Sequence, residues 1–200
     1  SLINKAEKLK VYKKLILHDN NKLPLPFEDS EFDFVHSNAL YWTKNVNEVT
    51  KDLSRIMTKD GYAAFSIATP FFLKKLYDMK NILGRKAFNI LDRKRIDEMK
   101  FIKSSYKSWM NIFKKSNFEI MDIVPAWPNQ FITNIWIMGL TRPISHLLIE
   151  MTDSISLNQR SIIKKKWVKI CSDIFYPLCK NIKKHKISDS PYLTFILRKK

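Results

Sequence analysis

Apolar and polar positions along the first 125 residues switch between two periods, and each switch marks an element. Leu2, Ile3, Ala6 and Leu9 recur at helical spacing and predict a helix over residues 2–10. Leu15 to His18 is a short apolar run closed by Asp19, the pattern of a buried strand. Residues 20–31 collect prolines and acids and read as a loop. Phe32 to Ser37 is the next predicted strand, with Ala39 to Lys44 crossing its C-terminal edge. Asn45 is suited to cap a helix on which Val46, Val49, Leu53, Ile56 and Met57 share one face. Lys59-Asp60-Gly61 predicts its end, with Gly61 as the left-handed residue. Tyr62 to Ala68 is a strand stopped at Pro70. A strand, a helix and a strand in this order are the crossover unit of a parallel sheet.

Downstream, Phe71 to Leu83 predicts a helix ended by Gly84, and residues 85–100 are too charged to assign. Ser105 starts a helix with Trp109, Ile112 and Phe113 inward, ending at Asn117, and Phe118 to Val124 is a strand. From Trp127 to His185 the pattern is helical: Phe131–Leu140, Ile144–Met151, and a basic helix from about Gln159 that Pro177 kinks or ends. Tyr192 to Leu197 is a final strand. The chain opens at Ser1 on what reads as mid-helix sequence, so the expectation is that its natural N-terminus is missing.

Composition narrows the class. Two hundred residues, 45% of them hydrophobic, suit one folded domain or one domain with an appendage. The net charge of +17 is uneven: zero over residues 1–50 and +9 over 151–200. That C-terminal excess suits an anionic membrane or nucleic acid, and equally a solvated face. Cys171 and Cys179 are too few for a disulfide framework, and no signal peptide is recognisable, which makes a reduced, cytoplasmic protein the expectation. The apolar run Phe131–Leu140 is far short of the roughly 20 residues that span a bilayer.

Few residues carry chemistry on their own. Glu28, Asp29, Glu31 and Asp33 cluster, but no regular alternation or glycine turn organises them around a cation, so they read as a solvated acidic loop with no metal. His36 is a candidate general base by residue type, but it lies inside a strand and is expected to pack in the core or against a helix. His146 is a weak candidate for substrate contact. Cys171 and Cys179 read as packing thiols. Asp19 alone is a turn former, and Tyr41 and Trp42 suit either core or rim.

Taken in order, several words form a larger pattern. Asp19 is followed by Leu-Pro-Leu-Pro-Phe-Glu-Asp, then by Ser30-Glu31-Phe32-Asp33-Phe34-Val35 and Ser37-Asn38-Ala39-Leu40-Tyr41-Trp42. Leu53-Ser54-Arg55-Ile56-Met57, Lys59-Asp60-Gly61 and Pro70 come next, and Ser116-Asn117-Phe118-Glu119-Ile120 later. This order resembles the middle of class I S-adenosylmethionine-dependent methyltransferases of the type 11 family, over residues 1 to about 125 and 191–200.

The resemblance implies an α/β fold: a Rossmann-like methyltransferase sheet, partial because its first two strands are absent, with a helical C-terminal insertion before the last antiparallel strand. It divides the chain into a core at 1–125 lacking its glycine-rich part, a helical lid or substrate-selecting insertion at 126–190, and a returning strand at 191–200. The implied cofactor is S-adenosylmethionine. Its implied contacts are Asp19 and Asn20 on the adenine side and Asn38, Ala39 and Trp42 toward the methionine half and the acceptor. No residue can be assigned the glycine-rich loop or the ribose-binding acid. The 200 residues alone are therefore expected to bind the cofactor weakly or not at all. The implied function is methyl transfer to a small or lipid-linked acceptor, with no catalytic base assigned. The alternative is a non-catalytic protein of this fold that uses its basic C-terminal helices on an anionic membrane or, less favoured, on nucleic acid. For the basic C-terminal helices an ordinary solvated face is the plainer reading, and among functional readings peripheral membrane contact is preferred to nucleic acid.

Overall fold

The computed structural model describes residues 2–7, 10–92, 105–126, 151, 154–180 and 186–200. A short helix α1 (Leu2–Glu7) precedes the first strand, β1 (Phe32–Ser37). A single 3-10 turn (Leu40–Trp42) leads into α2 (Val46–Arg55), β2 (Met57–Ala68) and α3 (Pro70–Asp92). Then come α4 (Tyr106–Lys115), β3 (Phe118–Ala126), the long α5 (Leu157–Lys180) and β4 (Tyr192–Lys199). The four strands form one sheet in the order β1-β2-β4-β3. β1 and β2 are parallel, whereas β4 runs antiparallel to both β2 and β3. The C-terminal ends of β1, β2 and β3 therefore meet the start of β4 along one edge. This is the α/β, Rossmann-like architecture expected from the sequence.

Alternation along β2 and β4 explains the core. Ala63, Phe65 and Ile67 of β2 and Leu193, Phe195 and Leu197 of β4 point to one face and are fully buried. α4 covers that face: Phe113 lies 5.7 Å from Phe65 and 5.0 Å from Phe195, centroid to centroid, and Trp109 stacks behind Phe113 at 5.8 Å. Ser105 caps α4 by accepting from the Ser108 amide, and Asn117 (φ 66°) turns the chain out of it in the left-handed region. The opposite face is only half covered and carries a polar pair, Ser66 and Thr194, with their hydroxyls 2.8 Å apart.

Four expectations need correction. Leu15–His18 forms no strand, and Leu17 is exposed. A strand exists by its neighbour's hydrogen bonds, and among the described residues none lies beside this segment. His36 is exposed rather than packed, because no described helix lies over its side of β1, where Phe34 is also exposed. α2 stops at Arg55, and Lys59-Asp60-Gly61 belongs to β2, not to a helix end. There Asp60 (φ 61°), not Gly61, is left-handed. The ladder shifts at this point, Phe32 facing Met57 and Phe34 facing Tyr62, so residues 58–61 bulge. Gly61 is needed for closeness: a Cβ there would lie 2.9 Å from the Thr58 carbonyl oxygen and 3.0 Å from that of Asp33.

Other expectations hold with adjustments. Asn45 sits at the N-cap of α2, but its side chain makes no capping bond. Gly84 (φ 74°, ψ 160°) breaks the helical path inside α3, as its place in the sequence predicts. Pro177 does not end α5, which continues to Lys180. Phe131–Leu140, His146 and most of Ile144–Met151 lie outside the described residues. Among the described helices none is long and apolar enough to cross a membrane.

Candidate functional site

Two short segments far apart in sequence meet at the C-terminal end of β1. The first is the Asp19–Lys22 turn. Asp19 Oδ1 accepts hydrogen bonds from the Asn21 amide and from Asn21 Nδ2, both at 3.0 Å, and the Lys22 amide donates to the Asp19 carbonyl at 2.8 Å. The Asn21 hydrogen bonds hold the Asp19 carboxyl below the usual carboxylate range. The second is the Ser37–Lys44 crossing. The Ala39 amide donates to Ser37 Oγ at 3.2 Å, and Thr43 Oγ1 donates to the Leu40 carbonyl at 2.7 Å. One bond joins the two segments: the Lys44 amide donates to Asn21 Oδ1 at 2.8 Å.

Between them lies a cavity of about 320 Å³, lined among others by Asn20, His36, Ser37, Ala39, Leu40 and Thr43. That is near the lower end of the roughly 300–1,000 Å³ common for small-ligand sites. Leu25, Phe27, Phe32 and Val35 contribute apolar lining, and Asn20, His36, Ser37 and Thr43 contribute polar groups. A flat, mostly apolar ring system with a polar edge suits such a lining.

The sequence-predicted residues divide here. Asn20 and Ala39 both line the cavity; Asp19, Asn38 and Trp42 do not. Trp42 is 36% exposed at the rim, its ring 5.4 Å from that of Tyr41, which is buried at 8%. Tyr41 in turn meets Tyr192 at 6.3 Å, and Tyr192 meets Phe72 at 4.9 Å. These rings come from the segments after β1 and β2 and from the start of β4. They form an aromatic wall along the edge where the strands end, which pairwise reading of the sequence did not assemble.

A second group that sequence reasoning missed holds the cavity's outer wall. Leu25 and Phe27 stand on a loop with no regular structure, and α2 reaches out to grip it. Arg55 Nη2 donates to the Leu25 carbonyl at 3.1 Å and Nη1 to the Phe27 carbonyl at 2.9 Å. Nη1 also bonds Asp29 Oδ1 at 2.7 Å. The hydrogen bonds to the Asp52 and then the Asp29 carboxylates raise the Arg55 pKa above its ordinary value. The acidic cluster is thereby dispersed: Asp29 faces Arg55, Glu31 accepts from the Glu28 amide, and Asp33 accepts from Thr58 Oγ1. Among the described residues no group of three or more His, Cys, Asp and Glu is placed to hold a metal ion.

Residues 2–65 match the methyltransferase domain family. No curated protein sequence matches the chain. Among solved structures, the [4+2]-cyclase SpnF is similar over 98% of this chain and 60% of its own, at 11% identity and a TM-score of 0.50. An S-adenosylmethionine-dependent methyltransferase from Thermotoga maritima, a possible histamine N-methyltransferase, is similar over 88% of this chain and 60% of its own, at 15% identity and a TM-score of 0.47. One from Mesorhizobium loti is similar over 91% and 67%, at 13% identity and a TM-score of 0.45. The chain spans about 60% of the length of the first two.

Proposed function

We propose that this chain, whose residues 2–65 match the methyltransferase domain family, forms the adenine-facing and acceptor-facing part of an S-adenosylmethionine-dependent methyltransferase. One observation carries the reading: Asn20 and Ala39, 19 residues apart, line a single cavity at the C-terminal end of β1. Open α/β sheets bind their ligands at such strand ends. Fold alone does not choose a reaction, so the residues must carry the rest.

The cofactor, when bound, supplies a sulfonium methyl group open to displacement. The chain's own residues supply position and dryness. Leu25, Phe27 and Leu40 offer apolar contact to a purine ring and exclude water from it. The Asn20 amide, with a donor and an acceptor, suits the ring's polar edge. Asp19 would complete the adenine side once its turn adjusts, since Oδ1 is already committed to Asn21. Asn38 and Trp42 stand beyond the cavity, toward the acceptor, where the Tyr41–Tyr192–Phe72 wall suits a small or lipid-linked molecule with an apolar body. Methyl transfer gains chiefly from alignment and desolvation, so no base is assigned.

Saturation-transfer NMR with S-adenosylhomocysteine tests the reading at the weak affinity expected of this chain. Transfer from protein to the adenine protons is expected, and Ala39→Phe, which fills the cavity from an exposed position, should abolish it. Transfer to adenine that Ala39→Phe leaves unchanged would overturn the reading.

A further inference from the structure

We propose that α5 lays this protein on an anionic membrane surface, a role independent of the cofactor reading. The helix has an apolar stripe that faces solvent. Ile163, Trp167, Ile170 and Ile174 follow one another at spacings of three and four and so share a face. Ile163, Ile170 and Ile174 are 39%, 52% and 56% exposed. No other described element packs extensively on α5. Singly exposed isoleucines need no explanation, whereas a continuous stripe of them does.

Charge says what covers it. At 100° per residue, Lys164 and Lys166 fall about a quarter turn to either side of the stripe. Their ammonium groups can reach lipid phosphates while the isoleucines enter the acyl boundary, the arrangement of an interfacial helix. Asp173 is the only acid in α5, so little opposes this attraction. Trp167, with an apolar ring and one polar N–H, suits the headgroup level. Nucleic acid would neutralise the lysines but leave the isoleucines in water. A bilayer surface satisfies both, and α5 is too polar to cross it.

Co-sedimentation with phosphatidylcholine vesicles, with and without phosphatidylserine, tests this. The chain should pellet with the phosphatidylserine vesicles only, and less as salt rises. Ile170→Ser/Ile174→Ser and Lys164→Gln/Lys166→Gln should each weaken partitioning by about tenfold or more. Circular dichroism checks that α5 persists in the variants. If it does not, the lipid and salt dependence of the unchanged chain decides alone. Equal binding to neutral vesicles would overturn the proposal. So would unchanged binding of the folded isoleucine variant, or tighter binding to an oligonucleotide than to either vesicle.

Discussion

Arg55 and Asp52 form one unit: Arg55 Nε donates to Asp52 Oδ1 at 2.6 Å, while Asp52 Oδ2 accepts the Leu25 amide, also at 2.6 Å. A single turn of α2 thereby fastens a loop that lies 27 residues earlier in the chain. Arg55→Met would strand the Asp52 carboxylate and two loop carbonyls. Hydrogen bonds to charged groups contribute roughly 1.5–3 kcal/mol each, so a destabilisation of about 2–3 kcal/mol is expected by urea unfolding. Arg55→Lys should restore little, because an ammonium cannot replace the planar fork that reaches Leu25, Phe27 and Asp29 together.

The same pair gives stability a pH dependence. Burial alone pushes the Asp52 pKa up, but the hydrogen bonds from Arg55 and the Leu25 amide outweigh it, and the net shift is downward. A carboxyl depressed on folding stabilises above its unfolded pKa, about 3.9, and loses that contribution as pH falls through its lower folded value. Unfolding free energy should therefore drop below about pH 4, and Asp52→Asn should flatten that drop while lowering stability at neutral pH. Urea titrations across pH read both, and an unchanged acid slope in the variant would refute the assignment.

These two residues also mark where sequence reading stops. Tyr62–Ala68, the helix start at Ser105 and its end at Asn117 were legible because alternation, a hydroxyl and an asparagine act within a few residues. The Arg55 grip was not, since nothing local in Leu53-Ser54-Arg55 announces a partner at Leu25. Leu15–His18 and His36 failed for one shared reason: strand pairing and helix cover come from elsewhere in the chain. At the site, the order of words brought Asn20 and Ala39 into one reading. The aromatic wall and the contributions of Leu25 and Phe27 needed the fold.

Gly61 gives a sharp steric prediction. Gly61→Ala places a methyl group against two backbone carbonyls, Thr58 at 2.9 Å and Asp33 at 3.0 Å, neither the end of a flexible side chain. Overpacking of this kind costs about 1–3 kcal/mol, seen as a lower Tm in calorimetry. Asp60→Gly should instead be neutral or slightly stabilising, because it relieves a left-handed non-glycine residue.

Phe113 is the heaviest point of the core, touching Phe65, Trp109 and Phe195 from α4. Phe113→Ala should cost about 3–5 kcal/mol, and Phe113→Leu much less. Chemical denaturation separates them. Similar losses for both would mean that ring packing, not volume, sets the stability here.

β4 is the only described strand that touches both β2 and β3, which share no ladder of their own. Residues 127–191 separate it from β3, so the contact that unites the sheet is also among the most distant in sequence. Loop closure of that span must precede any reward from pairing. β1, α2 and β2 are local and can assemble early, whereas α4 and β3 stay unattached to them through the sheet until β4 arrives. During synthesis, then, the edge of β2 that later holds β4 is open while some 120 further residues emerge. That interval is when this protein is most exposed to pairing with the wrong strand.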